Sequence, residues 1–295
     1  MMSTVPVRGG CFAIALFLAS CGSTPVAPQP HWELPADRIA PHVVVHVHEE
    51  LEVERIAPAT YVVRHMSPTP ANSVLAHMPD GAVVLVSTPF DTTASGWLLE
   101  WIRQTFSPTR IVVINTHFHF DGSGGNAAFE AGGAETFGSE HTAALVAERG
   151  PSARESMWHD WDVPGMRERF ENMPIVPPSH TFPEASGLTL HFGNEDVVVR
   201  FPGAAHSPDN VVTYFPSRRV LAGGCMIKTG DSIGNLRDAN LEMWPSALHY
   251  IHSHFTPLSV VVPGHGPVGG AELLDNTVRL VSEARGAEHN ENTPQ

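Results

Sequence analysis

Six side chains of the types that bind transition metals lie in four short segments of this sequence. The densest segment is NTHFHFDGSGGN, residues 115–126, in which His117, His119 and Asp121 alternate. On an extended or tightly turned chain, such alternate side chains can point the same way. Imidazole nitrogens with a carboxylate suit zinc, although the triplet alone is also compatible with two strand histidines and a capping aspartate.

Three further turns each carry one more candidate ligand. These are His206 in GAAHSPDN, Cys225 in GGCMIK and His265 in PGHGP. Each alone would more often be a packed or solvated side chain, but glycines accompany all three, and glycine lets the backbone turn sharply beside an ion. Six ligands are what two tetrahedral zinc ions need when each keeps an open or shared position, so we expect two Zn2+ per chain. Two such ions about 3.5–4 Å apart can share a hydroxide that is a nucleophile at neutral pH.

The only lysine of the chain lies beside one of these candidates. Of the 17 lysine and arginine residues, Lys228 alone is a lysine, and it follows Cys225 by three positions. A surface lysine needs no special role, but a single exception at this place favours a function.

The candidate ligands follow short apolar runs that are typical of β-strands. The runs are RIVVINTH, VVVRFPGAAH, RVLAGGC and LSVVVPGH, and each ends in a turn that contains histidine or cysteine. Loops at the strand ends of layered α/β structures bring distant residues together. We therefore expect the four turns to meet at one edge of a pair of sheets.

The rest of the chain also alternates strand and helix patterns. Residues 43–56 and 60–66 are each predicted to form a strand, and Asp80-Gly81 is typical of the turn of a hairpin over residues 77–87. Residues Ala94–Thr105 have the spacing of an amphipathic helix.

A stretch from Glu148 to Pro178 lacks strand character and is predicted to be a helical insertion near the ligand-bearing edge. It contains Trp158, His159 and Trp161. Nothing marks a later domain boundary, so we expect residues 42–295 to form one domain. The net charge of −14 argues against a nucleic-acid partner, because binding phosphates requires clustered lysine and arginine.

The N-terminus has the features of an export signal. Arg8 supplies a positive charge, and Cys11–Leu18 form an apolar core far shorter than the ~20 residues that span a bilayer as a helix. Leu18-Ala19-Ser20-Cys21 then resembles a bacterial lipobox, in which the cysteine carries lipid. We predict a lipoprotein signal peptide at residues 1–20 and lipidation of Cys21. The alternative is ordinary signal cleavage with an incidental cysteine.

The residues after the lipobox indicate where the protein resides. Gly22 follows the cysteine, which resembles lipoproteins sent to the outer membrane of Gram-negative bacteria, so we expect a periplasmic protein held to the membrane by lipid only. Residues 21–41 are Pro-rich, have too few apolar residues to fold and are predicted to be a tether. With Cys11 removed and Cys21 lipidated, Cys225 has no partner for an intramolecular disulfide. Separately, we expect the protein to be a monomer.

From about Leu51 to the C-terminal helix, these motifs resemble the metallo-β-lactamases and, within them, subclass B1. The resemblance implies an α/β fold, the four-layer αββα sandwich, with two zinc sites at one edge. The implied ligands are His117, His119 and His206 for the first site and Asp121, Cys225 and His265 for the second. The superfamily usually has histidine directly after the aspartate, where this chain has Gly122. The cysteine ligand that is present instead points to subclass B1.

The resemblance also implies a reaction and its residues. The reaction is the zinc-dependent hydrolysis of the β-lactam amide bond of antibiotics by a metal-bridging hydroxide, which confers β-lactam resistance. Asp121 then has a catalytic role, because its zinc stabilises the departing nitrogen. Lys228 pairs with the carboxylate of the substrate, and Asn235 in SIGNLRDAN is a catalytic and substrate-binding residue near the substrate carbonyl. The loop from Lys228 to Asn235 is shorter than in familiar subclass B1 members.

Two other segments depart from the family pattern or affect access to the site. Ser87, in VVLVSTPF, stands where the family typically has a buried aspartate, so we expect one ligand histidine to be held without a negative charge. The flap expected at Met66–Ala71 contains Pro68 and Pro70 and is predicted to be short and stiff.

Two other functions are compatible with the sequence. One is another hydrolase of the same fold, a thioesterase, a lactonase or a phosphodiesterase, the last being disfavoured by the acidic charge and by Gly122. The other is a non-catalytic zinc-binding lipoprotein, to which His42, His46 and His48 could contribute. In a β-like run we expect these three histidines on strand and loop surfaces instead.

Overall fold

A computed structural model describes the backbone of residues 37–160 and 165–291 and the side chains of residues 37–156 and 165–287. The predictions that lie outside the described residues are the signal peptide at residues 1–20, Cys21, most of the tether, Trp161, and the side chains of Trp158 and His159. Among the described helices, none combines the length and the apolar character that crossing a membrane requires.

The described residues alternate strands and helices along the chain. The strands are β1 (Val44–His48), β2 (Leu51–Ala57), β3 (Thr60–His65), β4 (Ala71–His77), β5 (Val83–Val86), β6 (Ile111–Ile114), β7 (Glu135–Ser139), β8 (His180–Phe182), β9 (Leu188–Phe192), β10 (Glu195–Arg200), β11 (Val212–Phe215), β12 (Val220–Gly224) and β13 (Val260–Pro263). The helices are α1 (Thr92–Phe106), α2 (Phe120–Ser123), α3 (Asn126–Ala131), α4 (Glu140–Asp160), α5 (Met166–Glu171), α6 (Trp244–His254) and α7 (Glu272–Glu291).

The strands form two sheets. The first sheet has eight strands in chain order, antiparallel from β1 to β5 and parallel from β5 to β8. The second has five strands in the order β13-β12-β11-β10-β9, antiparallel except for the parallel pair β12 and β13. Because β10 and β12 both run opposite to β11, the strands β10, β12 and β13 all end at the same edge.

Alternate residues of the first sheet face two different apolar layers, as side chains of a β-strand must. Val84 and Val112, which are paired in register, pack into the core between the two sheets, whereas Leu85, the next residue along β5, packs against α1. Helix α1 covers that outer face with Leu98 and Ile102, which are spaced one helical turn apart.

The outer face of the second sheet is covered in the same way by the C-terminal helices. Trp244 and Leu248 of α6 and Leu274 of α7 pack with Leu221 of β12 and Val261 of β13. The layers therefore follow the order helix, sheet, sheet, helix, and the predicted αββα sandwich is confirmed. The predicted helix over Ala94–Thr105 and the predicted Asp80-Gly81 hairpin are also present, as α1 and as the β4–β5 pair.

The prediction of one strand over residues 43–56 is wrong. β1 and β2 are separate antiparallel strands joined by a turn at Glu49-Glu50. The Glu50 carboxylate accepts hydrogen bonds from Arg169 of α5 at 2.6 and 2.8 Å and lies 3.3 Å from the buried His65 ring. The turn is therefore stabilised by partners far away along the chain.

The predicted insertion at Glu148–Pro178 is helical, but its predicted start is wrong. Helix α4 begins at Glu140, because Ser139 caps its first turn by accepting a hydrogen bond from the amide of Thr142 at 2.9 Å. Helix α5 follows within the predicted segment, and residues 173–178 are irregular.

Candidate metal centre

The candidate ligands lie just beyond the carboxyl ends of strands at one edge of the sandwich. They are His117, His119 and Asp121 after β6, His206 after β10, Cys225 after β12 and His265 after β13. The two sheets are linked at the same edge, since the amide of Asn72 in β4 donates to the carbonyl of Gly264 at 2.8 Å and its side-chain nitrogen donates to the carbonyls of Pro263 and Gly266. The prediction that the four turns meet at one edge of the two sheets is therefore confirmed.

Three histidine rings face one another in this centre. The ring centroids lie 4.7 Å apart for His117 and His119, 5.1 Å for His119 and His206, and 5.6 Å for His117 and His206. Each ring offers one nitrogen, and the three nitrogens lie within 4.8 Å of one another. Burial and the nearby Lys228 ammonium lower the pKa of His206 well below its ordinary value, which favours the neutral imidazole that binds metals.

The donor atoms of these histidines fit a metal. Several buried side-chain nitrogen and oxygen atoms of the described residues have no hydrogen-bond partner, and one of them is His117 Nε2, in the ring that belongs to both donor groups. A buried polar atom left unpaired costs about 1–3 kcal/mol, so such atoms are rare unless something else occupies the position they face. A zinc ion bound by three imidazoles would remove that cost for the His117 nitrogen.

The second predicted set gathers around the buried carboxylate of Asp121. The Cys225 thiol donates to Asp121 Oδ2 at 2.8 Å, and His265 Nε2 lies 3.1 Å from the same oxygen. His117 Nε2 lies 3.4 Å from Oδ1, so that this histidine is within reach of both sets. Thiolate, carboxylate and imidazole together form a donor set that zinc accepts.

The charges of these groups depend on one another. Burial would raise the pKa of the Asp121 carboxyl, but His117 and His265 outweigh it and hold that pKa well below its usual range. Against the effect of burial, Cys225 and Asp121 raise the pKa of His117 well above its ordinary value and that of His265 to about 11. Burial and Asp121 oppose ionisation of the Cys225 thiol, yet His265 and His117 leave its pKa lowered. A cation that binds here must therefore displace protons, as metals do at such ligands.

Two of the candidate ligand histidines are oriented by hydrogen bonds from the ring nitrogen that faces away from the centre. His119 Nε2 donates to the carboxylate of Asp238 at 3.0 Å, and His265 Nδ1 donates to the carbonyl of Pro70, in the predicted flap, at 2.7 Å. Such partners fix the ring and its tautomer, so the opposite nitrogen faces the centre. Asp238 was not identified from the sequence, because an aspartate in a polar loop carries no pattern that distinguishes it.

His117 is held by hydroxyl groups instead of a carboxylate. His117 Nδ1 lies 3.1 Å from Thr116 Oγ1, which lies 2.8 Å from Ser87 Oγ. With a metal on Nε2, Nδ1 would carry the proton and donate it to Thr116 Oγ1. Ser87 is buried and has a left-handed backbone conformation, with φ of 65°. The residue that departs from the family pattern thus reaches the ligand through one intervening hydroxyl.

Two glycines allow backbone to pass directly against ligand side chains. A Cβ on Gly264 would lie 2.4 Å from Cys225 Sγ, and a Cβ on Gly122 would lie 2.6 Å from the His117 carbonyl and 2.7 Å from His117 Nδ1. Any larger residue at either position would push the ligand away. At position 122, where the superfamily usually has histidine, this chain therefore has no room for a side chain.

Lys228 is buried beside the centre rather than extended into solvent. Its residue is 9% exposed, and its ammonium lies 5.6 Å from the centre of the Trp244 ring. Burial lowers the pKa of this lysine. A Cβ on Gly234 would lie 3.7 Å from the ammonium, so the shortened loop passes close to it.

Asn235 lies in that loop but makes only a local contact among the described residues. It is exposed, and its side-chain oxygen accepts a hydrogen bond from the amide of Arg237 at 2.9 Å. This is the geometry of an Asx turn. Its assignment as a catalytic and substrate-binding residue stays a prediction.

The N-terminal histidines do not join a metal-type group in the part of the chain that the structure describes. The ring of His48 stacks on Trp97 with centroids 3.4 Å apart, and His46 lies 3.5 Å from Glu52. His42 is exposed. These residues therefore occupy strand and loop surfaces, as expected.

Comparisons with known proteins point to one family. The family model described as the metallo-beta-lactamase superfamily matches residues 66–265, which include every candidate metal ligand. A relative named metallo-beta-lactamase type 2 from Bacillus sp. (strain 170) is 30% identical over 214 residues, covering 72% of this chain and 73% of that protein. A protein of the same name from Bacteroides fragilis is 27% identical over 216 residues, covering 72% of this chain and 76% of its own length.

Solved structures agree with the sequence relatives. A metallo-beta-lactamase from Pontibacter korlensis is 30% identical, covers 79% of this chain and 99% of its own, and has a TM-score of 0.66. The metallo beta lactamase from Hirschia baltica is 26% identical, covers 79% and 98% of the two chains, and has a TM-score of 0.65. The family match over the ligand-bearing strands and turns, together with the αββα fold, shows that this chain belongs to the metallo-beta-lactamase superfamily.

Proposed function

We propose that this protein is a zinc-dependent hydrolase of subclass B1 that opens the β-lactam ring of antibiotics and thereby confers resistance. The observation that carries the proposal is the pair of donor sets side by side, one of three imidazoles and one of Asp121 and Cys225, with His265 in contact with the same carboxylate. Relatives that are named metallo-beta-lactamases and are 25–30% identical support it.

We assign two zinc ions to the two sets. His117, His119 and His206 would hold one ion, and Asp121, Cys225 and His265 would hold the other. Zinc at such donors lowers the pKa of a water molecule to about 7 and polarises a carbonyl, the two effects that amide hydrolysis at neutral pH requires.

The other side chains bind and orient the substrate. The Lys228 ammonium, held beside the Trp244 ring, would pair with the carboxylate that β-lactam antibiotics carry. Asn235 would contact the lactam carbonyl if its exposed side chain leaves the Asx turn when substrate binds. Pro70, through its carbonyl, keeps His265 turned towards Asp121 while the flap is in place.

We also propose that the mature protein is a monomer in the periplasm, anchored by lipid on Cys21, with the outer membrane of a Gram-negative bacterium as its destination. The lipobox-like segment before Cys21 and the short apolar core ahead of it support this.

The reaction is tested with a chromogenic cephalosporin, followed by a penicillin and a carbapenem, using zinc-loaded and chelator-treated protein. We expect hydrolysis by the loaded protein, loss of hydrolysis with the chelator and recovery on adding zinc, since the side chains alone supply no activated water. Zinc uptake without turnover of any of the three substrates would rule out the lactamase assignment. Turnover of a thioester or a lactone in its place would identify the alternative hydrolase.

Replacement of Cys225 by serine tests the second zinc site. We expect the zinc content to fall from about two ions per chain towards one and turnover to slow by at least about tenfold, because a neutral hydroxyl is a far weaker zinc donor than a thiolate. Metal analysis and steady-state rates measure both effects. Cys21→Ser is the matched control: it should keep the zinc content and rate but release the protein from the membrane fraction. Unchanged zinc content in Cys225→Ser would contradict the two-site assignment.

Replacement of Lys228 by methionine tests substrate binding, because it removes the ammonium beside the Trp244 ring and keeps an unbranched side chain. Hydrogen bonds to charged groups contribute about 1.5–3 kcal/mol, so we expect KM to rise about 10- to 100-fold with a smaller change in kcat. Lys228→Arg keeps the charge and should retain most of the affinity. A KM that is the same in Lys228→Met and the natural protein would exclude this role.

Replacement of Ser87 by aspartate tests the hydroxyl pair behind His117. A carboxylate accepting from Thr116 would strengthen the hydrogen bond that Thr116 receives from His117, and aspartate tolerates the left-handed conformation of this position. We expect zinc affinity or rate to rise by up to about tenfold, since such partners change either quantity by about 10–100-fold. Ser87→Asn has the same shape without the charge and should gain less. No change in zinc loading or in rate would show that the charge is immaterial here.

A further inference from the structure

Two polar contacts through one carboxylate connect helix α4 to the three-histidine set. His119 Nε2 donates to Asp238 Oδ2 at 3.0 Å, and Arg149 donates to the other carboxylate oxygen, Asp238 Oδ1, also at 3.0 Å. The side chain of Asp238 is 20% exposed and that of Arg149 is 45% exposed, so the ion pair lies at the rim of the centre. The two oxygens of one carboxylate thus join a ligand histidine to a helix that contributes no ligand of its own.

Helix α4 is held in a fixed position relative to the ligands. Its residues Leu145 and Val146 pack with Phe118, which lies between His117 and His119 in the chain. Arg149 is three and four positions further on and therefore lies on the same face of the helix. Its guanidinium is 5.5 Å from the centre of the Phe118 ring, so the apolar contact that places the helix also places the charge.

Asp238 needs such a partner because its own segment is irregular. It lies in the stretch between β12 and α6, where the described residues form turns rather than a strand or a long helix. A carboxylate on a loop orients a ligand histidine only if the carboxylate is itself held in place. Arg149 holds Asp238 from a helix, through one charge-assisted hydrogen bond from its guanidinium to Asp238 Oδ1.

We propose that Arg149 is a positioning residue of the metal centre, which acts through Asp238 to orient His119 and so strengthens metal binding by the three-histidine set. This inference rests on the metal-binding part of the proposed function and not on the choice of substrate. Zinc affinity, and not only turnover, then depends on helix α4.

The test is the zinc affinity of the purified metal-free protein, measured by competition with a chromophoric chelator in a Cys225→Ser background that leaves the three-histidine set. We expect Arg149→Met to weaken that affinity about three- to tenfold, because it acts one contact further away than partners whose loss costs about 10–100-fold. Arg149→Lys should recover part of the loss. Arg154→Met is the matched control on the same helix, since Arg154 donates to the Met173 carbonyl and not to the centre.

A double-mutant cycle separates this role from a general effect on the helix. In an Asp238→Asn background, Arg149→Met should change the affinity by less than about twofold, because coupled residues are not additive. Cobalt titration of the protein that retains Cys225 should leave the thiolate charge-transfer band unaffected by Arg149→Met, since that band reports the other set.

Three results would overturn the inference while leaving the proposed function intact. They are an unchanged affinity in Arg149→Met, an equal loss in Arg154→Met, and a loss that persists in full in the Asp238→Asn background. Failure of the natural protein to bind any divalent metal would overturn both the inference and the proposed function. Metal binding with the expected dependence on Arg149, but without β-lactam turnover, would support the inference and contradict only the substrate assignment.

Discussion

The buried carboxylate of Asp121 is the interaction on which the rest of this structure depends. Cys225, His265 and His117 contact it from three segments of the chain, and without such partners burying a carboxylate would be strongly unfavourable. These partners reach it only if β6, β12 and β13 end at one edge, which requires the two sheets to pack face to face. Hydrophobic burial is non-directional and brings the sheets together. The Asp121 carboxylate and its partners determine which strand ends must lie at the same edge.

Space for the backbone is the second condition that the site imposes. Gly264 passes against the Cys225 sulfur and Gly122 against His117, so both segments approach their ligands more closely than any side chain would allow. The glycines around the candidate ligands are thus part of the centre itself and not merely of the turns that carry it.

The fold class and the meeting of the candidate ligands at one edge could be predicted because both depend on local patterns. Each candidate is a histidine, aspartate or cysteine in a turn that follows an apolar run. The alternation of such runs with segments of helical spacing indicates layered sheets and helices. The contact between Arg149 and Asp238 could not be predicted, because polar residues 89 positions apart leave no periodicity. The turn between β1 and β2 was missed for the same reason: its Glu50 is bound by Arg169, which lies 119 positions away. The contacts that escaped prediction are therefore polar contacts between residues that lie far apart in the chain.

These polar contacts differ between the candidate ligands of the three-histidine set. His119 is backed by a carboxylate that is itself ion-paired, whereas His117 is backed by the neutral hydroxyls of Thr116 and Ser87. A charge-assisted hydrogen bond to a carboxylate is about twice as strong as a hydrogen bond between neutral groups, so it fixes the orientation of an imidazole ring more firmly than a hydroxyl does. The less strongly backed ring is also the one that contacts Asp121, so His117 is the point at which the two sets share a side chain. Because its own support is weak, the geometry of the three-histidine set depends on the support of His119, and through it on a helix that supplies no ligand.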